Sequence, residues 1–177
     1  MPSRGRSASR WPAALIVLGS FALRVYRLGD ANVWWDEALA IWAVRKGLLG
    51  VTAWTASDVH PPLYFWSLWG WVQLFGEGEL AARLLSAVLG VLTVIIVYRL
   101  GRRLRGERLG LLAAFLMGFS RFHIWWSQEL RMYVLAGLLG TLSLYHLLGW
   151  LRTEAAPHET STRESWWHLG GTALYGL

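Results

Sequence analysis

The chain has 177 residues, of which 55% are hydrophobic and 16% are charged, against roughly 25% charged residues in an average soluble domain. Its net charge of +6 comes from short basic segments between apolar runs, a pattern that is typical of membrane topology and argues against nucleic-acid binding. Cysteine is absent, which excludes disulfides and thiolate metal sites.

The first predicted elements are a basic segment over residues 1–10 and an apolar stretch over 11–28 that carries Arg24 and Arg27. A helix rises about 1.5 Å per residue, so this stretch nearly matches the thickness of a bilayer. We expect a membrane helix whose two arginines extend toward the far interface. A cleaved signal peptide is the alternative interpretation.

Further apolar stretches predict membrane spans at 80–100, 109–122 and 130–151. A fifth apolar run begins at Trp166 and reaches only Leu177. The sequence therefore predicts an all-α, polytopic helical membrane protein with about four complete spans plus a partial fifth, and the expected membrane module is incomplete.

Two shorter segments, 34–48 and 61–75, lie between the first two spans. The arginine-rich linker 101–108 is expected to be cytoplasmic, like the N-terminus. Two cytoplasmic segments require an even number of crossings between them, and the spans at 11–28 and 80–100 already supply two. Both shorter segments are therefore predicted to be interfacial or re-entrant helices.

This topology divides the chain between the two faces of the membrane. The predicted parts are a cytoplasmic N-terminus 1–10, a membrane module 11–177, outer loops 29–79 and 120–130, and cytoplasmic linkers 101–108 and 152–165. Most of the acidic residues fall in the outer loops. Any site that uses carboxylates is therefore expected on the extracytoplasmic side.

The first candidate motif is the acid pair Asp36 and Glu37 in "VWWDEALAIWAVRK". In a structural interpretation, both acids occupy the first turn of a helix, where the helix dipole favours carboxylates. In a catalytic interpretation, Asp36 lies over the small residues Ala40 and Ala43, and this notch lets a general base approach a hydroxyl group. The residues alone leave both interpretations open.

The second candidate motif is "SDVHPPLY", in which Pro61 and Pro62 start a helix and hold His60 in an extended conformation. His60 is either an ordinary loop residue or, together with Asp58 and the acid pair, part of a site for a divalent cation.

The third candidate motif is "HIWWSQELRMY", where Glu129, Arg131 and Tyr133 follow a tryptophan pair. An arginine at the membrane surface suits an anionic lipid phosphate. The alternative is an aromatic belt with one charge pair. Arg83, at the start of the 80–100 span, has the same two interpretations.

These motifs, in this order, resemble the N-terminal part of membrane glycosyltransferases of the GT-C fold. The likeness is to the family-39-like group that includes protein O-mannosyltransferases and lipid A aminoarabinose transferases, and it covers residues 12–151. The resemblance implies transfer of a sugar from a polyprenyl-phosphate donor to an extracytoplasmic glycan, lipid or protein acceptor, with inversion at the anomeric carbon. It also implies a multi-pass protein of the plasma (inner) membrane, in contact with membrane lipids.

The resemblance assigns catalysis to Asp36 as base or acceptor-binding group, with Glu37 assisting or touching a metal ion. A divalent metal is therefore an open question. Substrate or lipid-phosphate binding is assigned to a larger set of residues: His60, Pro61, Pro62, Arg83, Glu129, Arg131 and Tyr133.

A non-catalytic membrane scaffold or a transporter fragment is the alternative function. In that case Asp36, Glu37 and Arg131 would form a structural ion-pair network or line a polar path. An enzyme would need Asp36, His60 and Arg131 to converge within a cavity open to the outer leaflet, whereas a transporter would place its charges near the middle of the bilayer.

Overall fold

The computed structural model of the protein describes residues 11–154 together with the isolated positions 167 and 171. These residues form helices and no strand, which confirms the all-α class. The helices are α1 (Trp11–Val25), α2 (Trp35–Arg45), α3 (Gly47–Ala56), α4 (Pro62–Phe75), α5 (Glu79–Arg105), α6 (Glu107–Gly118), α7 (Arg121–Ser127) and α8 (Tyr133–Glu154). The predicted N-terminal segment 1–10, most of the linker 152–165 and most of the apolar run from Trp166 lie outside the described residues.

The described helices confirm the membrane character of the chain. By length and composition, α5 and α8 can each cross a bilayer, and α6 and α7 could form a third span that is bent by 62°. Helix α1 has 15 residues and is shorter than expected, because a turn follows Val25 and Arg27 has a positive φ of 56°. Four crossings and the sidedness of the loops remain predictions.

The expectation that both arginines of the first segment extend toward the interface is wrong for Arg24. Its side chain is fully buried and bonded to α1, α6 and α7. Arg27 is exposed and pairs with Asp30 at 2.6 Å. An arginine in an apolar helix can be buried when other elements supply enough acceptors.

The predicted segment 34–48 contains α2 and the start of α3. The helix is interrupted between them, because Gly47 has a φ of 76°. Helix α4 begins at Pro62 after an extended Pro61, as the paired prolines predict. The predicted linker 101–108 is mostly helical, since only Gly106 separates α5 from α6.

The hydrophobic core packs α2, α3 and α4 against the first turns of α5 and the segment that joins α7 to α8. Tyr64 is completely buried there, and its hydroxyl shares a 3.0 Å hydrogen bond with Ser86 of α5. The largest apolar contributors include Phe65, Leu68, Leu85 and Leu130. This core fixes the start of α2 and residues 128–132 against each other, and the candidate site lies at that contact.

Candidate functional site

Charged side chains from three parts of the chain converge at the start of α5. Helix α2 contributes Asp36 and Glu37, α5 contributes Arg83, and the segment between α7 and α8 contributes Arg131. The first and third candidate motifs therefore meet at Arg83, and each acid pairs with a different arginine.

Glu37 and Arg83 form a buried, two-pronged ion pair. Arg83 Nη2 donates to Glu37 Oε2 at 2.6 Å, and Arg83 Nε donates to Oε1 at 3.0 Å. Glu37 is 1% exposed and Arg83 is 2% exposed. The backbone N–H of Leu130 also donates to Glu37 Oε1, at 3.1 Å. Glu37 therefore joins α2, α5 and the α7–α8 segment.

The remaining donors of Arg83 hold the turn that follows α1. Nη1 donates to the carbonyls of Leu28 at 3.0 Å and Ala31 at 2.8 Å, and Nη2 donates to Asn32 at 3.4 Å. A guanidinium has five N–H groups, and each of them is thus engaged. In this arrangement Arg83 has no donor left for a phosphate, and Glu37 has no exposed oxygen for a proton.

Asp36 and Arg131 form a second ion pair that is open to solvent. Arg131 Nη1 lies 2.9 Å from Asp36 Oδ2, with 31% of the aspartate and 13% of the arginine side chain exposed. Arg131 Nη2 donates to the Tyr133 hydroxyl at 3.1 Å, and the guanidinium carbon lies 6.0 Å from the centre of the Trp34 ring. Arg131 Nε is buried and has no hydrogen-bond partner among the described residues, so one donor of this guanidinium is unused there.

Glu129 lies in a polar cleft of about 330 Å³. One carboxylate oxygen accepts a hydrogen bond from the Trp125 indole, while Oε2 is buried without a partner. The other lining residues include two aromatic rings, two amides and two rim arginines: Trp34, Trp125, Asn32, Gln128, Arg27 and Arg121. Indole faces with nearby polar groups suit a ligand that has both an apolar face and hydroxyl groups.

His60 does not join the acid pair. Its ring Nδ1 donates to Asp58 at 2.9 Å, and the ring stacks on Trp54 with centroids 5.4 Å apart. The backbone N–H of Val59 and the His60 side chain both bond the Asp58 carboxylate, which lowers its pKa below the ordinary value.

Next to His60, Pro61 begins an apolar groove of about 410 Å³ between α4 and α8. The groove includes Tyr64 and Met132 and continues along α8 to Leu144. Glu129 lines the polar cleft and Met132 lines the apolar groove. Arg131 lies between these two residues in the sequence and is not itself among the residues that line either cavity.

The residues suggested for a divalent cation do not come together. Among the described residues, no group of three or more histidine, aspartate or glutamate side chains could hold a metal ion. His60 is paired with Asp58, and the two acids of α2 are paired with arginines. The donors within the described residues therefore do not form a metal centre.

The fold and the charge cluster define an integral membrane protein with a polar site at one end of its long apolar helices. A family model described as "Dolichyl-phosphate-mannose-protein mannosyltransferase" matches residues 59–175. The chain belongs to this family of GT-C glycosyltransferases, which confirms the resemblance. No significant match to the chain was found among curated proteins or among solved structures. Asp36 and Glu37 precede the residues that the family model matches.

The sequence did not predict which acid forms an ion pair with which arginine. It placed Arg83 and Arg131 together as phosphate ligands, and it gave no role to the backbone of Leu130. It also missed the buried Arg24. No local signal identifies these contacts, because each depends on side chains or carbonyls that are distant in the sequence.

Proposed function

We propose that the protein transfers a sugar, in the first instance mannose, from a polyprenyl-phosphate donor to a hydroxyl group of an extracytoplasmic glycan, lipid or protein acceptor. The observation that carries this proposal is the open Asp36–Arg131 pair. It places a carboxylate beside a cation with a spare donor, and the sequence neighbours of Arg131 line a polar cleft (Glu129) and an apolar groove (Met132). Membership of the mannosyltransferase family supports the choice of donor class.

Asp36 serves as the general base in this proposal. Its carboxylate accepts the proton of the acceptor hydroxyl while the hydroxyl oxygen forms a bond to the anomeric carbon. The bond between that carbon and the phosphate oxygen breaks, and the lipid phosphate leaves with the electron pair. Attack from the face opposite the phosphate inverts the anomeric configuration.

Arg131 neutralises the departing phosphate. Its Nε has no hydrogen-bond partner in the described part of the chain, which leaves one donor for a phosphate oxygen while Nη1 keeps its contact with Asp36. Arg83 takes a different role from the one that the resemblance implies. Because all of its donors are engaged, it positions Glu37 and the turn after α1.

The two cavities match the two halves of a lipid-linked sugar. The polar cleft offers the free Oε2 of Glu129 to sugar hydroxyl groups and the faces of Trp34 and Trp125 to the ring. The apolar groove that starts at Pro61, with His60 beside its mouth, accepts the prenyl chain.

The site is proposed to face the extracytoplasmic side of the plasma membrane, with the N-terminus in the cytoplasm. Arg83 and Arg105 lie 22 positions apart on α5, which corresponds to roughly 33 Å along a helix. This length supports a placement of the site and of the exposed arginines at the other end of α5 at opposite faces of a bilayer. Arginines mark the cytoplasmic face. A site at a helix end also favours an enzyme over a transporter with charges near the midplane.

The test is a transfer assay on the protein in lipid nanodiscs with polyprenyl-phosphate mannose as donor. We expect Asp36→Asn to abolish transfer because the amide cannot accept the proton, while membrane insertion is retained. Asp30→Asn is the matched control, since in the described part of the chain Asp30 forms an exposed ion pair with Arg27. Transfer near the wild-type rate in Asp36→Asn would exclude the base role.

A further inference from the structure

Arg24 of α1 is a buried cation that is bonded to three helices. Its Nη1 donates to the backbone carbonyls of Ser20 at 2.8 Å and Gly118 at 3.0 Å. Its Nε donates to Ser127 Oγ at 3.2 Å, and its Nη2 donates to His123 Nδ1 at 2.7 Å. A single guanidinium thus joins α1 to the end of α6 and to α7.

The partners of Arg24 are all neutral groups. None of its hydrogen bonds within residues 11–154 goes to a carboxylate. Burying a guanidinium without an opposite charge is unfavourable, and ionisable side chains inside membrane helices usually have a function. The arrangement needs an explanation beyond helix packing.

Helix α7, which Arg24 contacts, is too short to be stable without its tertiary contacts. Helix α7 has seven residues and is bent by 62° from α6, and a helix this short has little stability of its own. Gln128, at its C-terminal end, donates to the carbonyls of Arg24 and Tyr26, both at 3.1 Å. The end of α1 and helix α7 therefore hold each other from both sides.

The residues that follow α7 are those of the candidate site. Leu130 donates its backbone N–H to Glu37, and Arg131 pairs with Asp36. A tilt of α7 would move both contacts, because only Gln128 and Glu129 separate the helix from Leu130.

We propose that Arg24 is a positioning residue that sets the location of Arg131 relative to Asp36 by holding α7 against α1 and α6. The positional claim stands on contacts alone. The consequence for the reaction rate rests on the function proposed above.

Gly90 of α5 offers a way to disturb this contact without removing a polar group. A Cβ atom at Gly90 would lie 2.2 Å from Ser127 Oγ and 3.0 Å from Arg24 Nε. Gly90→Ala must therefore displace the Arg24–Ser127 contact. Gly70→Ala on α4 is the matched control, since a Cβ at Gly70 meets no atom within 4 Å.

The position of α7 relative to α2 is tested by double electron–electron resonance, which measures the distance distribution between two spin labels. The chain has no cysteine, so cysteines placed at the exposed positions Ala38 of α2 and Phe122 of α7 label only these sites. We expect a narrow distance distribution in the wild type and in Gly70→Ala, and a broadened or shifted one in Gly90→Ala and Arg24→Lys. Lysine keeps the charge but cannot reach acceptors on three helices.

Ser127→Ala is a milder variant for the case that Gly90→Ala does not yield a folded, monodisperse protein. It removes one acceptor of Arg24 and is expected to broaden the same distribution to a smaller extent. Wild-type distributions in all folded variants of Arg24, Gly90 and Ser127 would overturn the positional claim.

The transfer assay provides the second readout. A displacement of about 1 Å in a catalytic group lowers turnover by up to roughly 100-fold, so we expect kcat per folded molecule to fall at least tenfold in Gly90→Ala and to stay at the wild-type value in Gly70→Ala. Wild-type kcat together with a shifted distance would overturn the link between Arg24 and the reaction. Absence of transfer in the wild type would count against the proposed function and not against the positional claim.

Discussion

Asp36 and Glu37 are adjacent in the sequence but lie in two different environments. Successive residues of a helix point about 100° apart, and here Glu37 points into the core while Asp36 stays at its edge. Glu37 meets a guanidinium whose donors are all engaged, and Asp36 meets one with a donor to spare. The difference shows that burial and unused hydrogen-bonding capacity, more than charge itself, separate a structural ion pair from a candidate reactive one.

The largest effect is expected from breaking the buried pair. Arg83→Leu leaves Glu37 buried without its cation, which costs about 3–5 kcal/mol of stability. We expect a large fall in the unfolding midpoint and in folded yield, measured in detergent against a chemical denaturant. The double variant Arg83→Leu, Glu37→Leu should recover part of the loss, because a buried charge no longer remains. No recovery would mean that Arg83 acts mainly through the carbonyls of Leu28 and Ala31.

An intermediate effect is expected from the open pair. Arg131→Gln removes the cation that faces the proposed phosphate, and hydrogen bonds to charged groups contribute about 1.5–3 kcal/mol. The affinity for a short-chain polyprenyl phosphate should fall roughly 10- to 100-fold, as followed by quenching of tryptophan fluorescence.

The unfolding midpoint of Arg131→Gln should change little compared with that of Arg83→Leu. Arg45→Gln provides the control for phosphate binding, because Arg45 pairs with Glu77 at the surface. Equal loss of affinity in both variants would point to a non-specific charge effect.

The smallest effect is expected from the surface pair of Arg45 and Glu77. Their side chains are 62% and 43% exposed and lie 2.8 Å apart, and exposed pairs contribute about 0–1 kcal/mol. Arg45→Gln should leave the free energy of unfolding within that range. A loss as large as that of Arg83→Leu would show that burial does not distinguish the pairs.

Much of the fold could be predicted from the sequence. Apolar run length predicted α5 and α8, and the paired prolines predicted the start of α4. The division of 34–48 into two helices was missed, because a glycine inside a helical pattern does not reveal in advance that its φ will be positive. The bend between α6 and α7 was missed for a similar reason, since the apolar pattern continues across it.

The convergence of the first and third motifs with Arg83 could also be predicted, because a membrane restricts charged segments to its faces, whereas the expected approach of His60 to the acid pair was wrong. The pairing could not be predicted. The sequence is equally consistent with an Arg24 side chain that extends to the interface and with one that is buried. The acceptors that bind it in the structure, Gly118, His123 and Ser127, are distant in the sequence. The same holds for Arg83, whose donors are taken up by carbonyls of the turn after α1.

Asp36 is proposed to act as the general base, whereas Glu37 stabilises the fold through its buried ion pair with Arg83. The most direct measurement is the rate of sugar transfer per folded molecule, taken side by side for Asp36→Asn and Glu37→Gln in nanodiscs. We predict that Asp36→Asn folds like the wild type and does not transfer sugar, whereas Glu37→Gln gives less folded protein that still transfers. Transfer by Asp36→Asn together with a complete loss in folded Glu37→Gln would contradict this assignment.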